Sequence, residues 1–143
     1  MTGNSLFLIF AMLAQGLLAL ALLWHLGFQR IPLVLRGKVR IEEIALDKER
    51  WPERARQASN AFDNQFQLPV LFYVACLAAI AFGATLFEVA LAALFVLSRY
   101  VHAFIHITSN HVVRRFQAYF AGLIVLCVFW ADLLVRLLLI ALG

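Results

Sequence analysis

The sequence predicts an all-α integral membrane protein, a four-transmembrane-helix bundle with both termini on the outer side. Three observations predict it. Hydrophobic residues make up 64% of the 143-residue chain and charged residues only 14%, against about 45–50% and about 25% in soluble domains. The mean hydropathy is +0.90. The apolar residues also gather into four runs of about the length that spans a bilayer, roughly 20 residues. This composition excludes a disordered chain, a coiled coil and most soluble enzymes. One domain over 1–143 is expected, with helices near 5–28, 52–82, 84–109 and 114–142 and a cytoplasmic loop near 29–51.

Each helix rests on its own run. Ser5 to Phe28 carries no formal charge, and neither does Phe66 to Phe82. Ala84 to Ile107 carries only Glu88 and Arg99, and Phe116 to Leu142 only Asp132 and Arg136. Backbone amides in hydrocarbon must bond within their own segment, so these runs are helices. The alternation of a membrane β-barrel is absent. The first run has no basic leader and no small-residue cleavage site after it, so it reads as a span and not as a signal peptide.

The basic residues orient the bundle. Arg30, Arg36, Lys38, Arg40, Lys48, Arg50, Arg54 and Arg56 lie between helices one and two, and Arg114 and Arg115 between helices three and four. The turn at Gly83 and the N-terminal stretch have no charge. The basic side is therefore expected to be cytoplasmic. The net charge of +4 reflects this bias and does not indicate nucleic-acid binding, since no soluble basic face exists to present. Cys76 and Cys127 sit inside apolar runs and read as core-filling residues, with no disulfide and no metal motif.

The long loop has structure of its own. Pro32 is expected to break the end of helix one. Ile41 to Leu46 reads as a short interfacial helix, and Trp51 suits the headgroup layer. Pro52 followed by Glu53 resembles a helix start, so helix two begins well before its apolar part. Pro69 is expected to kink that helix and free the Gln65 carbonyl.

Polar residues inside the spans carry the functional information, because an ionisable group at membrane depth is costly and faces other helices or a cavity. Helix two presents Arg56, Asn60, Asp63, Asn64 and Gln67 on one stripe at spacings of three and four. Helix three presents Glu88, Arg99, His102 and His106 near one face, and helix four begins with Arg114, Arg115, Gln117 and Tyr119. At the outer end, Asp132 and Arg136 are i,i+4 partners, with Glu88 as an extra carboxylate. The inner ends of helices two, three and four thus share Arg, Asn, His and Tyr side chains. Guanidinium groups there suit a ligand with carboxylates or phosphates, which they bind bidentately. A small anionic ligand with an apolar co-substrate arriving from the lipid fits that store. His102 and His106, joined by His25 or His111 as haem or metal ligands, form an alternative.

These positions resemble the MAPEG family, the membrane-associated proteins in eicosanoid and glutathione metabolism. The resemblance covers nearly the whole chain and is clearest over Arg56 to Pro69 and over Arg99 to Tyr119. Members have Arg-x-x-x-Asn-x-x-Glu shortly before a proline on helix two. One branch has Arg-x-x-His-x-x-x-Tyr on helix three, then an Arg and a Tyr on helix four. Here Asp63 stands for the Glu after Arg56 and Asn60, at a greater distance from Pro69. Asn64 and Gln67 lie nearer that proline, with Gln for Glu, so two sets compete for the ligand. His106 stands for the helix-three Tyr.

The resemblance implies a homotrimer that binds glutathione between neighbouring subunits and acts as a transferase or peroxidase on a hydrophobic electrophile or lipid hydroperoxide. It implies that Arg115 stabilises the thiolate, with Tyr119 beside it. Arg99, His102 and His106 would position the thiol or the tripeptide carboxylates. Arg56 with Asn60 and Asp63, or Asn64 with Gln67, would close the other side, and Arg30 and Arg36 would reach a carboxylate. The compact chain suits a bacterial-type member in an inner membrane. A non-enzymatic membrane scaffold or small-ligand carrier on the same fold is the competing reading, favoured by the altered Glu and Tyr positions.

Overall fold

Capping residues, more than prolines, set where the helices stop. A computed structural model describes residues 2–45 and 47–143. Its first helix, α1, spans Gly3–Leu35 and opens on Thr2, whose hydroxyl accepts from the Ser5 amide, the usual service of a hydroxyl N-cap. Pro32 does not end it. Its ring removes one amide donor, but only near the last turn, where the loss costs little. The stop comes at Gly37, which takes φ +63° while the Lys38 amide donates to Leu33 O and the Gly37 amide to Val34 O, each at 2.9 Å. This is a Schellman closure. The expected end near residue 28 is thereby corrected to Leu35, and Arg30 rides on a helix instead of in a loop.

Only Ile41–Ile44 of the expected loop helix forms, as α2, followed by a 3-10 turn at Lys48–Arg50; Leu46 lies outside the described residues. Trp51 is buried beneath the Arg30 guanidinium, 4.5 Å from the ring centroid.

The second spanning helix is broken rather than kinked. α3 spans Glu53–Asp63, a 3-10 turn covers Asn64–Phe66, and α4 spans Leu68–Ala81. Gln67, at φ −103° and ψ −105°, separates the two helices. Pro69 therefore sits in the first turn of a new helix, where its missing amide is harmless. Side chains of other helices tie the break down. Gln15 Nε2 on α1 donates to Gln65 Oε1 at 2.9 Å, Gln65 Nε2 donates to Ala61 O at 3.1 Å, and Arg99 Nη2 donates to Asn64 O at 3.3 Å.

α5 spans Leu86–Ile107 and α6 spans Val112–Leu142. α1, α3 with α4, α5 and α6 are each long and apolar enough to cross a membrane. They run up and down. Asn4 donates to Ala84 O at 3.1 Å at one end, the turn end. At the other, the basic end, Gln57 donates to His106 O. Both termini lie at the turn end, as the predicted topology requires. The core stacks Phe72 on Phe95, with centroids 4.6 Å apart, among Leu8, Ala75, Cys76, Ala92 and Phe129. Cys76 is buried, Cys127 is exposed, and both are free thiols. α5 and α6 make the broadest helix pair and approach closely at Gly122, where an added Cβ would run into Ser98 Oγ.

The outer ion pair differs from the one that i,i+4 spacing predicts. Arg136 pairs with Glu88 on α5 instead of Asp132 on its own helix. Glu88 is fully buried and also closes the Thr85 capping box, accepting from the Thr85 amide at 2.6 Å. Arg136 Nη2 reaches Gly83 O at 2.9 Å and Phe82 O at 3.2 Å. One guanidinium thus stitches the α4–α5 turn to α6, and Asp132 Oδ2 is left buried without a partner among the described residues.

Two stability outcomes are expected in detergent melts. Arg136→Met strands the buried Glu88 carboxylate and destabilises the fold by about 3–5 kcal/mol, and adding Glu88→Gln restores part of that loss. An unchanged melting point for the single variant would refute the clamp. Gly122→Val costs about 1–3 kcal/mol through overpacking. Gly16→Ala, whose Cβ meets only Tyr73 Oη at 3.8 Å, does not lower the melting point.

Candidate functional site

The polar groups singled out in the sequence converge at the basic end. α3 brings Arg56 and Asn60, one turn apart, to this end, with Asp63, Asn64 and Gln67 following at the break. α5 brings Arg99, His102 and His106, and α6 brings Arg115 and Tyr119. Three adjoining cavities result. The first, about 260 Å³, holds Arg30, Arg56, Asn60, His106 and Arg115 in its wall. The second, about 350 Å³, is bounded by Asn60, Asp63, Asn64, Gln67, His106 and Arg115. The third, about 290 Å³, is bounded by Asn64, Gln67, His102, Arg115 and Tyr119, with Phe116 at its apolar side. Arg115 borders all three, so the cavities adjoin one another along one groove at this residue. The two competing helix-two sets occupy successive parts of the same groove, joined through Asn60.

Behind the groove lies Arg99, with none of its surface exposed. Its guanidinium stands over Tyr119, 5.4 Å from the ring centroid. Apart from the bond to Asn64 O, its Nε and Nη1 have no partner among the described residues. No carboxylate pairs with it there. His102 donates through Nδ1 to Arg115 O at 3.0 Å, fixing the ring, while its buried Nε2 is unpartnered. His106 lies edge-on to His102 with centroids 5.6 Å apart, and Asn64 Nδ2 donates to its Nδ1 at 3.4 Å. Tyr119 packs 5.7 Å from the His102 ring.

Some of the cations already hold protein partners. Arg115 Nη1 donates to Asn110 Oδ1 at 2.6 Å. Arg56 pairs with Glu49, and Arg30 Nη2 donates to Ser59 Oγ at 3.1 Å. Lys48 approaches Asp63 at 3.4 Å in an exposed pair, which is worth little in water. Several expected positions stay apart. Arg99 is not in the wall of these three cavities, Arg36 is exposed at the end of α1, and Arg114 and Gln117 are exposed on α6. His25 borders a different cavity and His111 caps α6 through Nδ1, so neither joins His102 and His106.

Glu49, Glu53 and Asn110 also border the first cavity, and the sequence reading passed over all three. Glu53 has no ion-pair partner among the described residues. Its place directly after Pro52 marked a helix start and drew attention from its charge. Asn110, at φ +49°, takes the left-handed conformation that suits Asn after a helix, and that turn signature was the available clue. Cations and carboxylates around one opening suit a zwitterion better than a simple anion.

No curated protein and no solved structure matches this chain. The MAPEG family model matches residues 8–135, which takes in most of α1 and α6, all of α3, α4 and α5, and every residue of the groove. On that coverage the chain, a multi-pass integral membrane protein, belongs to the MAPEG family.

Proposed function

We propose that the groove binds glutathione and that the protein is a membrane-embedded glutathione-dependent transferase or peroxidase. The observation that carries this reading is the position of Arg115, common to three joined cavities whose walls hold both cations and an unpaired carboxylate. Glutathione has two carboxylates, one ammonium and one thiol, and the residues present fit that set. Arg30 and Arg56 would hold carboxylates through their planar forks. Glu53 would take the ammonium, supplying the charge that Gln67 lacks. Asn60, Asn64 and Gln67 would bond the peptide groups.

Bound in this groove, glutathione would supply a sulfur nucleophile toward a hydrophobic electrophile or a lipid hydroperoxide. Arg115 would favour the thiolate by its charge. Tyr119, at the apolar side with Phe116, would donate a hydrogen bond to the thiol. Arg99 would raise the positive potential behind them from a water-poor position, where charge acts over longer range. Asp63 would orient Lys48 at the rim. The groove is open on one side, and a neighbouring subunit of a homotrimer would close it. The basic end would face the cytoplasm of an inner membrane, where the thiol is supplied. The pairing of Arg56 with Glu49 and of Arg115 with Asn110 supports a second reading, a scaffold or carrier that binds without turnover.

Titration calorimetry on detergent-purified protein distinguishes these. Arg115→Ala is expected to weaken glutathione binding by about ten- to a hundredfold, the worth of a hydrogen bond to a charged group. It is also expected to abolish turnover of chlorodinitrobenzene or cumene hydroperoxide. Wild-type protein that ignores millimolar glutathione would sink both readings, and binding without turnover would select the carrier. Glu53→Gln is expected to cost about tenfold for glutathione and nothing for an analogue lacking its amino group. Equal losses for both ligands would remove Glu53 from the ammonium site.

A further inference from the structure

A second polar cavity lies on another side of α3 and shares only Gln57 with the groove. Arg54 and Arg56 are two residues apart, about 200° around the helix, so they point to different sides. Arg56 enters the groove. Arg54 instead borders a cavity of about 270 Å³ between α1, α3 and α5, with His25, Gln29, Gln57, Ile107 and Thr108. His25 and Gln29 are i,i+4 neighbours on α1. Among the described residues, the side chains of Arg54, His25 and Gln29 make no hydrogen bond and no ion pair. The cavity thus gathers a guanidinium, an imidazole and an amide, all able to donate, around a space that no protein acceptor fills. Glu53 lies next in sequence but faces the other cavity.

Its surroundings place it at the edge of the hydrocarbon. Trp24 and Phe28, each 71% exposed, pack against one another one residue before His25 and Gln29, with ring centroids 6.2 Å apart. Exposed aromatic rings of this kind sit at the headgroup level. On α5, Leu97, Val101 and Phe104 are exposed at spacings of four and three, and the stripe they form leads to Thr108 at the cavity wall. Tyr100, beside that stripe, donates to Ala14 O at 2.8 Å and seals the α1–α5 seam beneath the cavity. A polar pocket at the interface above an apolar seam is shaped for a molecule with an anionic head and an acyl tail. Basic pockets between helices at this level take lipid head groups.

We propose that this cavity is a binding site for the phosphate head group of an anionic phospholipid. Arg54 provides the charge and the bidentate donors, and His25 and Gln29 provide the directed hydrogen bonds. The acyl chains lie along Leu97, Val101 and Phe104. The site does not depend on what the groove binds.

Native mass spectrometry of the intact protein, titrated with phosphatidylglycerol or phosphatidylcholine, tests the proposal. Phosphatidylglycerol is expected to bind more tightly, and Arg54→Ala to weaken it about fivefold, the worth of one basic group near a lipid surface. Gln29→Ala is expected to weaken it less. Lys38→Ala, which removes the same charge from the exposed loop outside the cavity, is expected to leave it unchanged. Equal losses for Arg54→Ala and Lys38→Ala would reduce the effect to general surface charge and overturn the site. So would equal affinity for the two lipids. Glycerol phosphate or inorganic phosphate binding as tightly as phosphatidylglycerol would assign the cavity to a free anion and overturn the lipid reading. Glutathione titrations of Arg54→Ala matching wild type would separate this site from the groove, and a parallel loss of both would refute its independence.

Discussion

The bond between the buried amides of Gln15 and Gln65 is the contact on which the architecture of the basic end depends. A broken helix leaves backbone groups unpaired, and in hydrocarbon each such group is costly. The break at Asn64–Gln67 is tolerable because α1 and α5 send side chains to it: Gln15 holds Gln65, Gln65 covers Ala61 O, and Arg99 covers Asn64 O. An unbroken helix would carry Asn64 and Gln67 along a straight stripe. The break redirects both toward His102, His106 and Arg115, and so opens the groove. It also fixes Arg99, the least accessible cation in the bundle, by giving its one bonded nitrogen a carbonyl to hold.

The two ends of the bundle treat buried charge differently. At the turn end, Glu88 meets Arg136, and the remaining donors of Arg136 meet turn carbonyls. That cluster is nearly closed on itself, apart from Asp132 Oδ2, and it does the work of a clasp. At the basic end, Arg99 has two nitrogens without partners and His102 has one. A buried guanidinium lacking a carboxylate is among the more expensive things a membrane protein can hold. A fold that satisfies its charges at one end and sets Arg30, Arg56 and Arg115 around open cavities at the other concentrates its capacity for an anion at that open end. This contrast supports reading the groove, and not the Glu88 cluster, as the place where an anionic guest is received.

How much of this was legible in the sequence follows from the range of the interactions involved. The four spans and the inner gathering of Arg, Asn, His and Tyr were legible because hydrocarbon imposes one rule on every residue of a run. Where the reading missed, a distant contact overrode a local signal. Pro32 looked like a stop, but the closing geometry belongs to Gly37. Pro69 looked like a kink, but with Gln15 and Arg99 available to cover the gap it starts a new helix. Asp132 and Arg136 have the right spacing for a pair, yet Arg136 turns to Glu88, which is more deeply buried and already oriented by Thr85. Gly37 apart, whose closure is local, none of these partners is near in sequence, so no local pattern reports them.

The carboxylate missing from helix two bears on whether the altered residues weaken the proposed ligand site. Gln67 keeps the size and hydrogen-bonding reach of a glutamate and loses only its charge. An ammonium ligand needs that charge somewhere within reach, but not on a particular residue. In the first cavity two carboxylates stand among the cations, Glu49 committed to Arg56 and Glu53 uncommitted among the described residues. Glu49 lies in the turn before α3 and Glu53 at its first residue, both farther toward the aqueous side than Gln67. Moving the negative charge there would shift an ammonium toward water and draw the carboxylates of the same molecule toward Arg30 and Arg56, leaving the thiol end near Arg115 and Tyr119. The neutral amide at Gln67 would then suit the peptide part of the ligand, which is itself neutral. On this reading the substitutions shift the ligand along the groove and leave its charges matched.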